Sequence, residues 1–102
     1  MKNNNPRFND ETIIAALPDH LTCDLSGDAA ILKISDGIYY GLNETAAFLW
    51  ERMQKPIRFD QLREEMLAAF DVPSEQASRD MSALLEQMLN AKLIEARDAM
   101  AT

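Results

Sequence analysis

One histidine, one cysteine and scattered carboxylates are the residues of this 102-residue chain with the chemistry of a reaction centre. His20 has the side chain of a general base, but it follows Pro18-Asp19 and reads as a solvated loop histidine. Cys23 has the side chain of a nucleophile. The alternation of Leu21 to Leu25 turns it inward with Leu21 and Leu25, where a free thiol behaves as a small apolar group. One histidine and one cysteine do not make a zinc site, which takes four nitrogen or sulfur ligands. Glu64-Glu65 and the dispersed aspartates lack metal spacing, and Asp71 to Ser74 does not match a calcium loop. Gly37 and Gly41 flank a strand instead of opening a helix after one, so they form no phosphate cradle. No catalytic residue, metal or cofactor is therefore expected.

The chemistry open to such a chain is binding, and its charge narrows the partner. Seventeen acidic residues against ten basic ones give a net charge of −7. That sign repels phosphate, which argues against nucleic acid and anionic membrane and in favour of a peptide or protein partner. The length suits one domain. Met1 to Asp10 lacks the apolar core of a signal peptide, no run approaches a membrane span, and a lone cysteine fits a reducing compartment. The expected location is the cytoplasm.

The elements follow from periodicity and breakers. Residues 1–11 read as a mobile arm, 12–96 as the domain and 97–102 as a frayed end. Thr12 to Ala16 is a candidate short strand ended by Pro18. Leu21–Leu25, Ala29–Ile34 and Ile38–Leu42 read as a meander. Ser26-Gly27-Asp28 forms its first turn, and Asp36-Gly37 gives the hairpin signal of its second. Ala30, Leu32 and Ile34 share a face, as do Ile38, Tyr40 and Leu42, with Tyr39 opposite. Asn43 is a good N-cap for a helix carrying Ala46, Ala47, Leu49, Trp50 and Met53. Phe59 to Ala69 is a second helix, and Glu75 to Asn90 a third, capped by Ser74. The third carries a broad stripe of Ala77, Met81, Leu84, Leu85, Met88 and Leu89. Leu93-Ile94 adds a short extended piece. Strands followed by helices give an α+β domain.

The segment Gly37-Ile38-Tyr39-Tyr40-Gly41-Leu42-Asn43 contains no charge and no proline, the usual protections of a sheet edge. As an edge, Ile38–Leu42 offers unpaired backbone groups to an added strand. Met81, Leu84 and Met88 would wall a groove beside it, with Asp80 and Glu86 as acidic rims. The competing reading keeps Tyr39 and Tyr40 packed on the sheet, makes the Met/Leu stripe ordinary core, and lets Thr12–Ala16 cover the edge.

The run Pro18-Asp19-His20-Leu21, Asp24-Leu25-Ser26-Gly27-Asp28 and Gly37-Ile38-Tyr39-Tyr40-Gly41-Leu42-Asn43-Glu44 resembles PqqD-like proteins. The resemblance continues through Trp50, Pro56, Phe70-Asp71-Val72 and Asp80 to Leu93-Ile94. It implies a winged-helix-like fold, with a three-stranded antiparallel sheet and three helices. It also implies a role in recognising the leaders of ribosomally made, post-translationally modified peptides, most like the stand-alone lasso-peptide branch. The leader would add beside Ile38, Tyr39, Tyr40, Gly41 and Leu42 and pack on Ala77, Asp80, Met81, Leu84, Leu85 and Met88. A separate cysteine leader protease and a macrolactam cyclase are the further partners that it implies. Arg58 stands where the resemblance leads one to expect a capping Thr or Ser. The alternatives are a winged-helix regulator reading DNA with its third helix, and a scaffold that binds only the protease or a modifying enzyme.

Overall fold

The chain forms two small antiparallel sheets and three helices, seen in a computed structural model that describes residues 8–25 and 28–97, without the side chains of Asp24, Leu25 and Asp28. The readings made above for residues 1–7, Ser26-Gly27 and 98–102 lie outside the described residues.

The meander comprises β2 (His20–Leu25), β3 (Asp28–Lys33) and β4 (Ile38–Leu42), in spatial order β2-β3-β4. Lys33 pairs with Ile38 across the second turn. Gly37 donates its N–H to the Lys33 carbonyl at 2.8 Å with φ +70°, a left-handed conformation that glycine adopts without penalty. The Asp36 carboxylate accepts from the Ile38 N–H at 3.0 Å and fixes the start of β4.

β1 (Ile13–Ala16) does not cover the meander. It is the centre of the second sheet, flanked by β5 (Ile57–Arg58) and β6 (Ile94–Arg97) in the order β5-β1-β6. The short piece expected at Leu93-Ile94 is thus a strand running to Arg97, which pairs with Ile13, so residue 97 is not part of a frayed end.

The arm read over 1–11 is corrected at its inner end in the same way. Phe8 is buried and stacks on Phe59 with ring centroids 5.7 Å apart, and Arg63 holds Asp10 at 3.0 Å. This strap explains how α2 (Phe59–Ala69) starts with Arg58 at its N-cap and no capping side chain. The N–H groups of Phe59 and Asp60 have no partner inside the helix. They donate instead to the carbonyls of Thr12 at 2.8 Å and Asp10 at 3.0 Å. The Arg58 guanidinium grips Asp60 through two bonds, 3.0 and 2.8 Å. Those bonds hold the Asp60 carboxyl below its ordinary range.

α1 (Glu44–Arg52) starts as the sequence predicts, with the Asn43 side chain accepting from the Ala46 N–H at 2.8 Å. α3 (Ser74–Asn90) starts one residue early: Pro73 is the N-cap, Ser74 is already helical and caps nothing. It ends in a Schellman turn, with Lys92 N–H to Leu89 C=O at 3.0 Å and Leu93 N–H to Met88 C=O at 2.9 Å. Lys92 takes the left-handed conformation, φ 61°, that this turn imposes.

One core cluster joins the elements, with Ile14, Ile31, Leu49, Met53, Leu62, Met81, Leu85 and Ile94 wholly buried. The face of the meander that it takes is that of Thr22, Ile31 and Tyr40, which are opposite one another. Trp50 settles the choice: its buried indole donates to the Thr22 hydroxyl at 3.3 Å. The inward reading of Leu21 is therefore corrected, since Leu21 faces outward and is exposed, and Cys23 on the same side is only half-buried. His20 is likewise no loop residue. It opens β2, is half-buried, donates from Nδ1 to the Leu17 carbonyl at 2.7 Å and sets its ring edge-on to Trp50 at 4.7 Å.

Candidate functional site

β4 pairs with β3 on one side and with nothing on the other, so its second side is a free edge among the described residues. The register assigns the groups along that edge. In an antiparallel ladder, successive residues direct their N–H and C=O alternately to the two sides. Lys33 and Ile38 close the turn with their backbones facing each other. The backbones of Tyr40 and Leu42 then face β3, and the N–H and C=O of Tyr39 and Gly41 face outward. No backbone bond outside the sheet engages Tyr39 or Gly41. Two donors and two acceptors are in place for an extended segment.

The side chains on the core face of β4 grade from exposed to buried. Ile38 is exposed, Tyr40 half-buried and Leu42 buried. An added strand would therefore find its inward-facing positions open near the turn and closed near α1. On α3 the expected residues divide. Ala77, Met81, Leu85 and Met88 are buried within the core cluster. Leu84 is half-buried and packs at the margin of that cluster, as Tyr40 does. Asp80, one turn before Leu84, is exposed and accepts from the Gln76 side chain at 3.5 Å. What α3 leaves accessible from the expected set is thus Leu84 and Asp80, backed by four core side chains that hold the helix in place.

A second feature was not anticipated from the sequence. A cleft of about 630 Å³ lies between the meander, α1 and the end of α2, lined by Thr22, Ala29, Leu42, Phe48, Trp50 and Phe70 among others. Phe70 meets Phe48 edge-on at 5.2 Å, and Arg52 lies 3.7 Å over the Phe48 ring while reaching Glu65 at 3.2 Å. No sequence signal foretold this cleft, because its lining comes from five separate elements, β2, β3, β4, α1 and α2. Among the described residues no group of three metal-ligating side chains occurs, and no helix is long and apolar enough to cross a membrane.

The comparisons with known proteins concern the family and the fold. The model of the family described as coenzyme PQQ synthesis protein D (PqqD) matches residues 28–94. No curated protein matches the chain. Two solved structures share the fold. One is described as TbiB1 in complex with the TbiA(beta) leader peptide, with TM-score 0.72 and 18% identity over 79% of this chain and 94% of that one. The other is described as lasso peptide synthetase B1 complexed with the leader peptide, with TM-score 0.66 and 20% identity over 80% of this chain and 96% of that one. With well over half of its length matched by the family model, the chain belongs to the PqqD family.

Proposed function

We propose that this protein is a non-catalytic recognition element that captures the leader of a ribosomally made precursor peptide, of the lasso class, by adding it as a strand to β4. The observation that carries the reading is the uncapped, uncharged edge of β4, with the backbone groups of Tyr39 and Gly41 turned outward. The two structural neighbours, both described as leader-peptide complexes, support it. Inward-facing leader side chains would pack on Ile38, Tyr40 and Leu84, with Asp80 drawing a basic residue to the rim. Ala77, Met81, Leu42, Leu85 and Met88 would form the floor behind them. A docked peptide of about ten residues would bury on the order of 1,000–1,400 Å² in total, the low end of specific interfaces. The captured leader would then be presented to a separate cysteine protease and a macrolactam cyclase in the cytoplasm.

DNA reading by α3 has nothing in its favour: its one basic residue, Arg79, lies 3.9 Å from Glu75, and Asp80 stands beside it. A chemical-shift titration with the synthetic leader of the precursor encoded beside this chain tests the proposal. Large shifts are expected at the amides of 38–42 and around Leu84. Shifts confined to the cleft beside Trp50 and Phe70, or none at all, would rule it out.

A further inference from the structure

All the large apolar side chains that stand well exposed among the described residues belong to the meander: Leu21 (56%), Ile34 (55%), Ile38 (48%) and Tyr39 (64%). Two of them form a row with Leu32 on the face turned away from Trp50, where Leu21, Leu32 and Tyr39 are directly opposite one another. The adjacent row is Cys23, Ala30 and Gly41. It ends in bare, open backbone, because Gly41 has no side chain and a Cβ built there meets nothing within 4 Å. Tyr39 and Gly41 lie two residues apart on this one face, so Tyr39 is the same-face neighbour of that bare backbone.

Both rows stop at the free edge of β4. A strand added there must continue each of them by one side chain, since directly opposed residues share a face. We propose that the leader residue opposite Gly41 carries a large apolar side chain that covers this bare backbone and packs on Tyr39. The outer face would thus form a second specificity subsite, separate from the inner-face positions proposed to pack on Ile38, Tyr40 and Leu84. This rests on strand addition at β4, and adds to it the chemistry of an outward-facing position. Aromatic and long side chains reach the diagonal cross-strand neighbour, and a large partner covers a glycine whose own side is bare. A polar residue there would instead leave Tyr39 with its present exposure.

The test uses the full chain and the synthetic leader peptide of the precursor encoded beside it. Cross-strand backbone NOEs in the complex fix the register and name the residue opposite Gly41. That residue is changed to Ala in the peptide, and the protein is changed at Tyr39→Ser, Gly41→Val and Gly41→Pro. Tyr39 is exposed and Gly41 has open space, so the Ser and Val variants should keep the fold, which Trp50 fluorescence checks. The Ala peptide and Tyr39→Ser are each expected to weaken binding about five- to tenfold, and together scarcely more than either alone. Gly41→Val is expected to weaken the parent peptide while leaving the Ala peptide at its already reduced affinity. A polar residue found opposite Gly41, or losses that simply add, would overturn the subsite. Binding abolished by Gly41→Pro but untouched by Tyr39→Ser would remove the subsite and leave strand addition standing. No binding to the unaltered protein would remove both.

Discussion

Gly41→Pro separates the two sides of β4 in one substitution. The register turns the Gly41 N–H away from β3, so proline removes no bond of the resident sheet. Its ring still asks for a φ near −65°, tighter than a strand prefers, and about 1 kcal/mol of stability is the expected loss. Tyr40, the residue before the new proline, is already extended and suits that position. The bound state has more to lose. One ladder bond is worth about 0.5–1.5 kcal/mol, and the leader carbonyl left without its donor costs a further ~1–3 kcal/mol. A loss of about 2–3 kcal/mol in affinity corresponds to roughly 30- to 150-fold in Kd. Calorimetry with the leader peptide reads the affinity, and urea unfolding followed by Trp50 fluorescence reads the stability. Gly41→Ala is the control: its Cβ meets nothing within 4 Å and its N–H remains. A folded Gly41→Pro protein with unchanged affinity would refute the docking edge. A protein destabilised by about 3 kcal/mol or more would refute the register, placing that N–H in the resident ladder.

Leu84→Asp puts a charge at the accessible margin of α3, and a loss of about tenfold or more in leader affinity is expected, read by calorimetry on a protein whose Trp50 signal is unchanged. The same change at Met88 is no test of binding, because that side chain is buried and the charge would unfold the core. Lys92→Gly relieves the left-handed backbone at the end of α3 and should stabilise by about 0.5–1 kcal/mol in urea unfolding. Asp60 has its pKa lowered by the Arg58 bonds, so its contribution is present above the unfolded carboxylate value and is lost as pH falls through the folded one. Asp60→Asn should accordingly lower stability at neutral pH and flatten the acid end of the profile, so that the two proteins converge below about pH 4.

Local signals in the chain were enough for the order of every element except β5, and for the edge. Asp36-Gly37 demanded a turn, Asn43 capped α1 as its side chain allows, and the spacing of Phe59, Leu62 and Met66 set α2. The bare stretch from Ile38 to Leu42 was visible because missing charge and missing proline are properties of the sequence itself. The α3 stripe was also legible, but not its division into floor and margin. Ala77, Met81, Leu84, Leu85 and Met88 lie on one broad face, and only packing against the other helices and β6 left Leu84 half open.

The sequence by itself determined which of the longer segments are strands and which helices, because periodicity, caps and breakers act within a few residues; the two-residue β5 exists only through its pairing with β1. Only the tertiary structure decided which face of each strand is inside. Ala29 to Ile34 offers Ala30 and Leu32 on one face and Ala29 and Ile31 on the other, and alternation does not rank them. The arrival of Trp50 at Thr22 drew Ile31 into the core and left Leu21 and Tyr39 outside. Tertiary structure also sent β1 to pair with β6, at the other end of the described residues, instead of to the edge of β4. Strand pairing between distant segments is settled by the whole packed chain, and that pairing is what keeps the edge of β4 free.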